Sequence, residues 1–189
     1  VIDASTQPPR MKRRALSFLN MSSGGPVLRI QKATREHLPR VVELMRGLAE
    51  FEKMLDEFQV TEELLDRHLF ARDAVAELFV GCVDDEVRGY ALCFYNFSSF
   101  QGRPGMYIED IYVEPSARGQ GLGKALMLHI VRLALERGCR RCDWVVLDWN
   151  EQARQFYQSL GARPLSEWTL YRMDGDAMND LLKRPGEKT

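Results

Sequence analysis

No run of apolar residues in this 189-residue chain approaches the roughly 20 that a membrane helix requires, so a helical membrane protein is excluded. Charge of one sign is not in excess either. The chain has 26 Lys and Arg against 27 Asp and Glu, a formal net charge of −1. A general nucleic-acid binder carries a basic surplus, and this chain has none. Cysteine and histidine are scarce. The 4 cysteines are Cys82, Cys93, Cys139 and Cys142, of which the first two lie in apolar runs that read as core strands. Cys139 and Cys142 form a lone C-x-x-C without a second ligand pair, and the 3 histidines (His37, His68, His129) do not fall at metal-ligand spacing. No metal site is expected; reduced, buried thiols in a cytoplasmic protein are.

What is present is the composition of one globular domain: 45% hydrophobic, 10% aromatic and 28% charged residues. Residues 1–26 stand apart, rich in Pro, Ser, Arg and Gly without periodicity, and are expected to be a disordered leader or extension. Lys12-Arg13-Arg14 makes at most a weak targeting segment. The domain is expected over 27–189. A strand opens it at 27–30. From Thr34, Leu38, Val41, Val42, Met45, Leu48 and Ala49 recur at helical spacing. Residues 50–60 form an acidic connection, and a second helix starts at Thr61 with Leu64, Leu65, His68 and Leu69 on its apolar side.

Strands over 76–83 and 87–97 form a hairpin about Asp84-Asp85-Glu86, and a third strand covers 106–113. A helix over 123–137 turns Leu126, Ile130, Leu133 and Ala134 inward and ends at Gly138. A buried strand is expected over 142–148. Asn150 then caps a helix bearing Ala153, Phe156, Tyr157 and Leu160 on one face, stopped by Gly161. A last strand over 168–173 and a helix over 176–182 complete a layered α/β (α+β) order, β-α-α-β-β-β-α-β-α-β-α.

The central feature is Arg118-Gly119-Gln120-Gly121-Leu122-Gly123-Lys124, between a strand and a helix. Alternate glycines permit positive φ and close backbone approach. Successive N–H groups with a helix N-terminus behind them make an anion cradle. A Walker motif fails, because Arg118 stands where its first glycine belongs and Ala125 where its hydroxyl belongs. A dinucleotide fingerprint also fails, since from Gly119 its last glycine falls on Lys124 and from Gly121 on Leu126.

The turn resembles the pyrophosphate loop of the GCN5-related N-acetyltransferases. About 27 residues downstream, Asn150-Glu151-Gln152-Ala153-Arg154-Gln155-Phe156-Tyr157, closed by Gly161-Ala162, is similar to that family's second signature. Asn150 and Tyr157 are two helical turns apart. Leu48-Ala49-Glu50-Phe51-Glu52-Lys53, Tyr107-Ile108-Glu109-Asp110-Ile111-Tyr112-Val113 and Leu147-Asp148-Trp149-Asn150 resemble its diamine (spermidine/spermine) and thialysine N-acetyltransferase branch. The likeness covers about 27–183, and the leader has no counterpart.

The resemblance implies the family's fold, a mixed central sheet flanked by helices, and acetyl-CoA as cofactor. Arg118, Gly119, Gln120, Gly121, Leu122, Gly123 and Lys124 would hold its phosphates, and the backbone of Ile111, Tyr112 and Val113 its pantetheine amides. Further contacts are implied at Asp143, Trp144 and Val145, and at Asn150, Glu151, Gln152 and Ala153. An alkylamine with a pKa of about 10.4 must lose a proton before it attacks. Glu109 is then either the general base or a carboxylate that binds the ammonium. Tyr157 matches the family's catalytic tyrosine, an acid for the departing thiolate; the alternative is a core tyrosine beside Phe156. Attack is expected to be direct, without an acyl-enzyme.

Glu50, Glu52, Asp56, Glu57, Glu109 and Asp110 offer negative charge to an aminoalkyl acceptor, although a solvated acidic loop gives the same pattern. The resemblance puts Phe51, Glu52, Glu109, Asp110 and Trp168 at the acceptor. One departure stands out. The diamine enzymes usually carry an acid and a tryptophan in the loop before the Glu109-Asp110 strand, whereas this chain has Asn96-Phe97-Ser98-Ser99-Phe100-Gln101-Gly102. A long polyamine loses an anchor there, and a shorter amine, or a lysine-like amino acid such as thialysine, becomes the alternative. Two rival functions remain open: a protein-lysine or N-terminal acetyltransferase, and a non-catalytic acyl-CoA-binding module. The branch also implies a homodimer.

Overall fold

A computed structural model describes residues 25–183, which fall into two compact units divided between Val145 and Val146. The first unit is a five-stranded sheet in simple sequence order. Its strands are β1 (Leu28–Lys32), β2 (Glu77–Val83), β3 (Glu86–Ser98), β4 (Arg103–Val113) and β5 (Cys142–Asp143). The first four pair antiparallel, and β5 joins β4 in parallel. Helices α1 (Leu38–Glu52), α2 (Glu62–Leu69) and α3 (Leu122–Glu136) complete the unit.

Alternation along the strands divides the core in two. Leu78, Val80 and Cys82 of β2, with Tyr90 and Tyr112, pack against Leu38, Val41, Leu44 and Met45 of α1 and Leu65 of α2. Helix α3 lies against β1 to β4 through Leu122, Leu126, Ile130 and Leu133, all buried. A Cβ on Gly81 would stand 2.9 Å from Leu122 Cδ1, so that glycine sets the close approach of α3 to the sheet. At the far end of α3, Arg137 donates to both oxygens of Glu77 and, at 2.9 Å, to Tyr95 Oη. Lys32 Nζ reaches Glu77 at 3.0 Å. Burial alone would raise the Glu77 carboxyl, but these partners hold it at about 2.

Two strands expected from sequence do not form as expected. The strand read over 142–148 is reduced to Cys142–Asp143, which pairs with Met106 and Tyr107. A bulge in β4 begins two residues beyond Tyr107, and the parallel ladder ends before it. The strand read over 168–173 has no ladder. Trp168, Leu170 and Tyr171 are exposed there, and strand propensity without a pairing partner does not make a strand. On α2 only Leu65 is buried; Leu64 and His68 face outward.

The second unit contains α4 (Glu151–Ser159) and α5 (Gly175–Lys183) joined by irregular chain. As read from sequence, Asn150 caps α4, its Oδ1 accepting from Ala153 N–H at 3.1 Å. Gly161, at φ 89°, follows the end of that helix. Cys82, Cys93 and Cys139 are buried and Cys142 partly so, all as free thiols. Among the described residues no helix is long and apolar enough to cross a membrane. The expectation for the leader lies outside the described residues.

Candidate active site

The glycine turn is built for an anion. Gly119 and Gly121 take φ of 78° and 88°, a region costly for any residue with a Cβ. Gly121 caps α3 without offering a side-chain acceptor. The first helical hydrogen bond is Ala125 N–H to Gly121 C=O at 2.9 Å, so the N–H groups of Leu122, Gly123 and Lys124 have no helical acceptor. Gly123 needs neither positive φ nor room inside the protein, because a Cβ there would meet only Val113 Cγ2 at 3.8 Å. Its lack of a side chain leaves the outer surface of the turn open. A diphosphate, with two anionic groups for three convergent donors, fits this arrangement.

The turn is braced on its β4 side. Glu114, just after β4, accepts from Arg40 of α1 and Arg88 of β3, each at 2.6 Å. Burial would raise its carboxyl, but those two guanidiniums hold it below the usual range. Arg118 Nε donates to Val113 C=O at 2.9 Å. Its guanidinium carbon lies 5.2 Å from the Phe51 ring centre and 5.8 Å from that of Tyr112. Phe51, read from sequence as an acceptor contact, and Arg118, read as a phosphate contact, therefore meet.

Leading into the turn, β4 carries an open edge. Among the described residues its second side pairs with a strand only at Met106 and Tyr107. From Ile108 to Val113 the main-chain groups on that side face no strand, which suits an extended amide-bearing ligand. The start of this opening is fixed by a cross-strand tie. Asn96 Nδ2 on β3 donates to Asp143 Oδ2 on β5 at 2.9 Å, and Arg141 Nε meets the same oxygen at 2.8 Å. Gly105 on the intervening β4 makes room for it, since a Cβ there would collide with Asn96 Oδ1. The Asp143 side chain, read as a cofactor contact, is thus tied to its own sheet.

The bulge in β4 falls at Glu109. Leu92 pairs with Asp110 and the next residue, Cys93, with Ile108, so Glu109 is the extra residue. It reverses the alternation. Ile108 lies opposite Cys93, whereas Asp110 and Tyr112 lie opposite Leu92 and Tyr90, on the face that packs against α1. Asp110 is therefore carried inward while Glu109 stays exposed. Asp110 Oδ2 accepts from Tyr90 Oη at 3.1 Å. Burial, with the charges of Glu109 and Glu52 acting in the same direction and the Tyr90 hydrogen bond against them, raises the Asp110 carboxyl from 3.8 to about 6. Burial also raises Glu52. Three carboxyls of one site, with no cation among the groups that shift Asp110, would favour a cationic ligand.

Sequence reasoning missed Tyr90, Asn96, Arg40 and Arg88. A tyrosine and an asparagine inside apolar strands were the available signal, since a buried polar tip requires a partner. In the second unit the rings of Phe156 and Tyr157 meet at a tilt of 56°, with centres 5.3 Å apart, and Trp168 is exposed. Trp144 is half-buried and Val145 exposed at the end of the first unit. Gln152 and Glu151 are exposed on the first turn of α4.

A family model described as the acetyltransferase (GNAT) family matches residues 41–162. The chain is 36% identical over 163 residues to the thialysine N-epsilon-acetyltransferase of Bos taurus, covering 80% of this chain and 95% of that protein. It is 36% identical over 118 residues to an L-ornithine N5-acetyltransferase of Arabidopsis thaliana, 62% of this chain and 49% of that one. Among solved structures, an integron cassette protein from the mobile metagenome of V. cholerae superposes with a TM-score of 0.69 at 28% identity, over 82% of this chain and 98% of that one.

Proposed function

The chain belongs to the acetyltransferase (GNAT) family as an N-acetyltransferase, and from that premise we propose that it moves an acetyl group from acetyl-CoA to the side-chain amine of a short diamino acid such as thialysine. The observation that carries this reading is the continuity of one strand. The open edge of β4 begins beside the carboxyls of Glu109 and Asp110 and runs into the glycine turn, which joins acceptor, thioester and diphosphate in sequence order. The missing acid in the 96–102 loop favours a short acceptor over a long polyamine. Relatives named for thialysine and for ornithine, both side-chain amines of an amino acid, support the same class.

Acetyl-CoA, when bound, would supply the acetyl thioester. The N–H groups of Leu122, Gly123 and Lys124 hold its diphosphate, and the main chain of Ile111, Tyr112 and Val113 pairs with its pantetheine arm. Glu52 and Asp110 draw the ammonium in. Glu109, exposed on the bulge, removes its proton, directly or through a water. The alkylamine then has a free lone pair, a state that costs roughly 4–5 kcal/mol at pH 7 in water. Tyr157 gives a proton to the leaving sulfur. The family reading also makes the protein a homodimer of the cytoplasm, for which light scattering tests the first half.

The test is a panel of thialysine, lysine, ornithine, spermidine, putrescine and a lysine peptide with acetyl-CoA, reading free thiol release. Release with the amino acids and little with spermidine supports the proposal. Preference for the peptide, or no release with any amine, would refute it.

A further inference from the structure

We propose that Phe51 is a positioning residue for the cofactor. Its ring, together with that of Tyr112, holds the Arg118 guanidinium at the edge of the glycine turn, so that affinity for coenzyme A depends on a side chain of the acceptor segment. The inference rests on the reading of the turn as a diphosphate site.

Three anchors define the position of Arg118: two come from the end of β4 and the third from α1. Nε–H is held by Val113 C=O at 2.9 Å. The Phe51 ring comes from the last turn of α1, 5.2 Å away, and the Tyr112 ring from β4, 5.8 Å away. The backbone that carries Phe51 and the ring of Tyr112 are both held in place. The end of α1 is closed by Lys53 in a left-handed conformation, φ 62°, with Met54 N–H on Ala49 C=O at 2.8 Å. Tyr112 is buried with its hydroxyl against Gly47, where a Cβ would stand 2.7 Å away.

An exposed arginine normally samples many rotamers and loses that freedom when an anion fixes it. A guanidinium held between a carbonyl and two rings has lost part of it in advance. Lysine at this position would keep the charge and lose both the fork and the stack. The ring of Phe51 therefore acts on the diphosphate through Arg118 without touching it. By reciprocity, occupancy of the turn also steadies Phe51, beside the acceptor carboxylate of Glu52.

A double-mutant cycle on the dissociation constant of coenzyme A tests this, using calorimetry on the wild type, F51L, R118K and F51L/R118K. An exposed cation–π contact corresponds to an affinity change of about two- to five-fold. F51L should weaken binding by that factor when Arg118 is present and leave it unchanged in the R118K background. F51Y, which keeps a ring face, should restore wild-type affinity, and F51M replaces F51L if the leucine variant does not fold. Equal effects of F51L in both backgrounds, or no effect in either, would overturn the inference. Failure of the wild type to bind coenzyme A would instead sink the diphosphate reading itself.

Discussion

Asp110→Asn should stabilise the protein, and the gain should depend on pH. The Asp110 carboxyl is carried inward by the bulge, accepts one hydrogen bond from Tyr90 and faces the charges of Glu109 and Glu52. Burial raises it from 3.8 to about 6. Below about pH 4 both folded and unfolded chains hold the proton, and the group costs nothing. As pH rises from about 4 to 6 the unfolded chain ionises while the fold still holds the proton, so stability falls. Above 6 both states are ionised and the penalty is constant. At 1.36 kcal/mol per pH unit it amounts to about 3 kcal/mol. Asparagine has nearly the same shape, still accepts from Tyr90 Oη and carries no charge. Urea unfolding of both proteins, followed by tryptophan fluorescence from pH 4 to 8, should give a difference that grows by about 1–3 kcal/mol toward high pH. Groups that do not interact with Asp110 titrate alike in both proteins and cancel, and the repulsion from Glu109 and Glu52 belongs to the penalty itself. A difference that is flat with pH would refute the account, as would one that favours aspartate at pH 8.

The Glu77 carboxyl, held at about 2 by Arg137 and Lys32, works in the opposite sense: its stabilisation is present above about 4.5 and is lost as pH falls toward 2. Glu77→Gln should therefore cost about 2–3 kcal/mol at pH 7 and little at pH 2, read from the same unfolding curves. Gly121→Ala forces a Cβ into φ 88°, costing about 1–2 kcal/mol of stability and weakening coenzyme A binding in calorimetry. Tyr157→Phe should lower kcat by about 10²-fold or more with the dissociation constant of coenzyme A unchanged; an unaltered kcat would remove the acid role. Gly105→Ala collides with Asn96 and should loosen the tie to Asp143, seen as a lower thermal midpoint.

Much of the fold was legible because most elements of the first unit state themselves locally. The periodicity of α1, the hairpin about Asp84-Asp85 and the glycine stop at Gly138 need no distant partner to be read. The strands at 142–148 and 168–173 were misread for one shared reason. A strand exists only by virtue of its neighbour, and an apolar or alternating run does not say whether a neighbour is there. In the first case the neighbour is present for two residues and then absent, and that absence is what opens the edge of β4.

The candidate site was legible in its residues and not in its geometry. The spacing of Arg118 to Lys124 marks an anion turn whatever surrounds it. Nothing in Ile108-Glu109-Asp110 discloses a bulge, since a regular strand would also send two neighbouring carboxylates in different directions. The bulge decides which face of the sheet takes Asp110. Without it Asp110 would share a face with Ile108 and Met106, under α3, and Tyr112 would leave the α1 core. The bulge thus exposes Glu109, buries Asp110 against Tyr90 and seats Tyr112 under Arg118. Deleting Glu109 should accordingly remove the base and spare the register: Ile108 stays opposite Cys93 and Asp110 opposite Leu92, as in a regular strand, and Tyr112 keeps its place beside Arg118. The deletion should therefore lose activity and retain coenzyme A affinity, as Glu109→Gln does; a loss of affinity on deletion alone would refute this reading of the bulge.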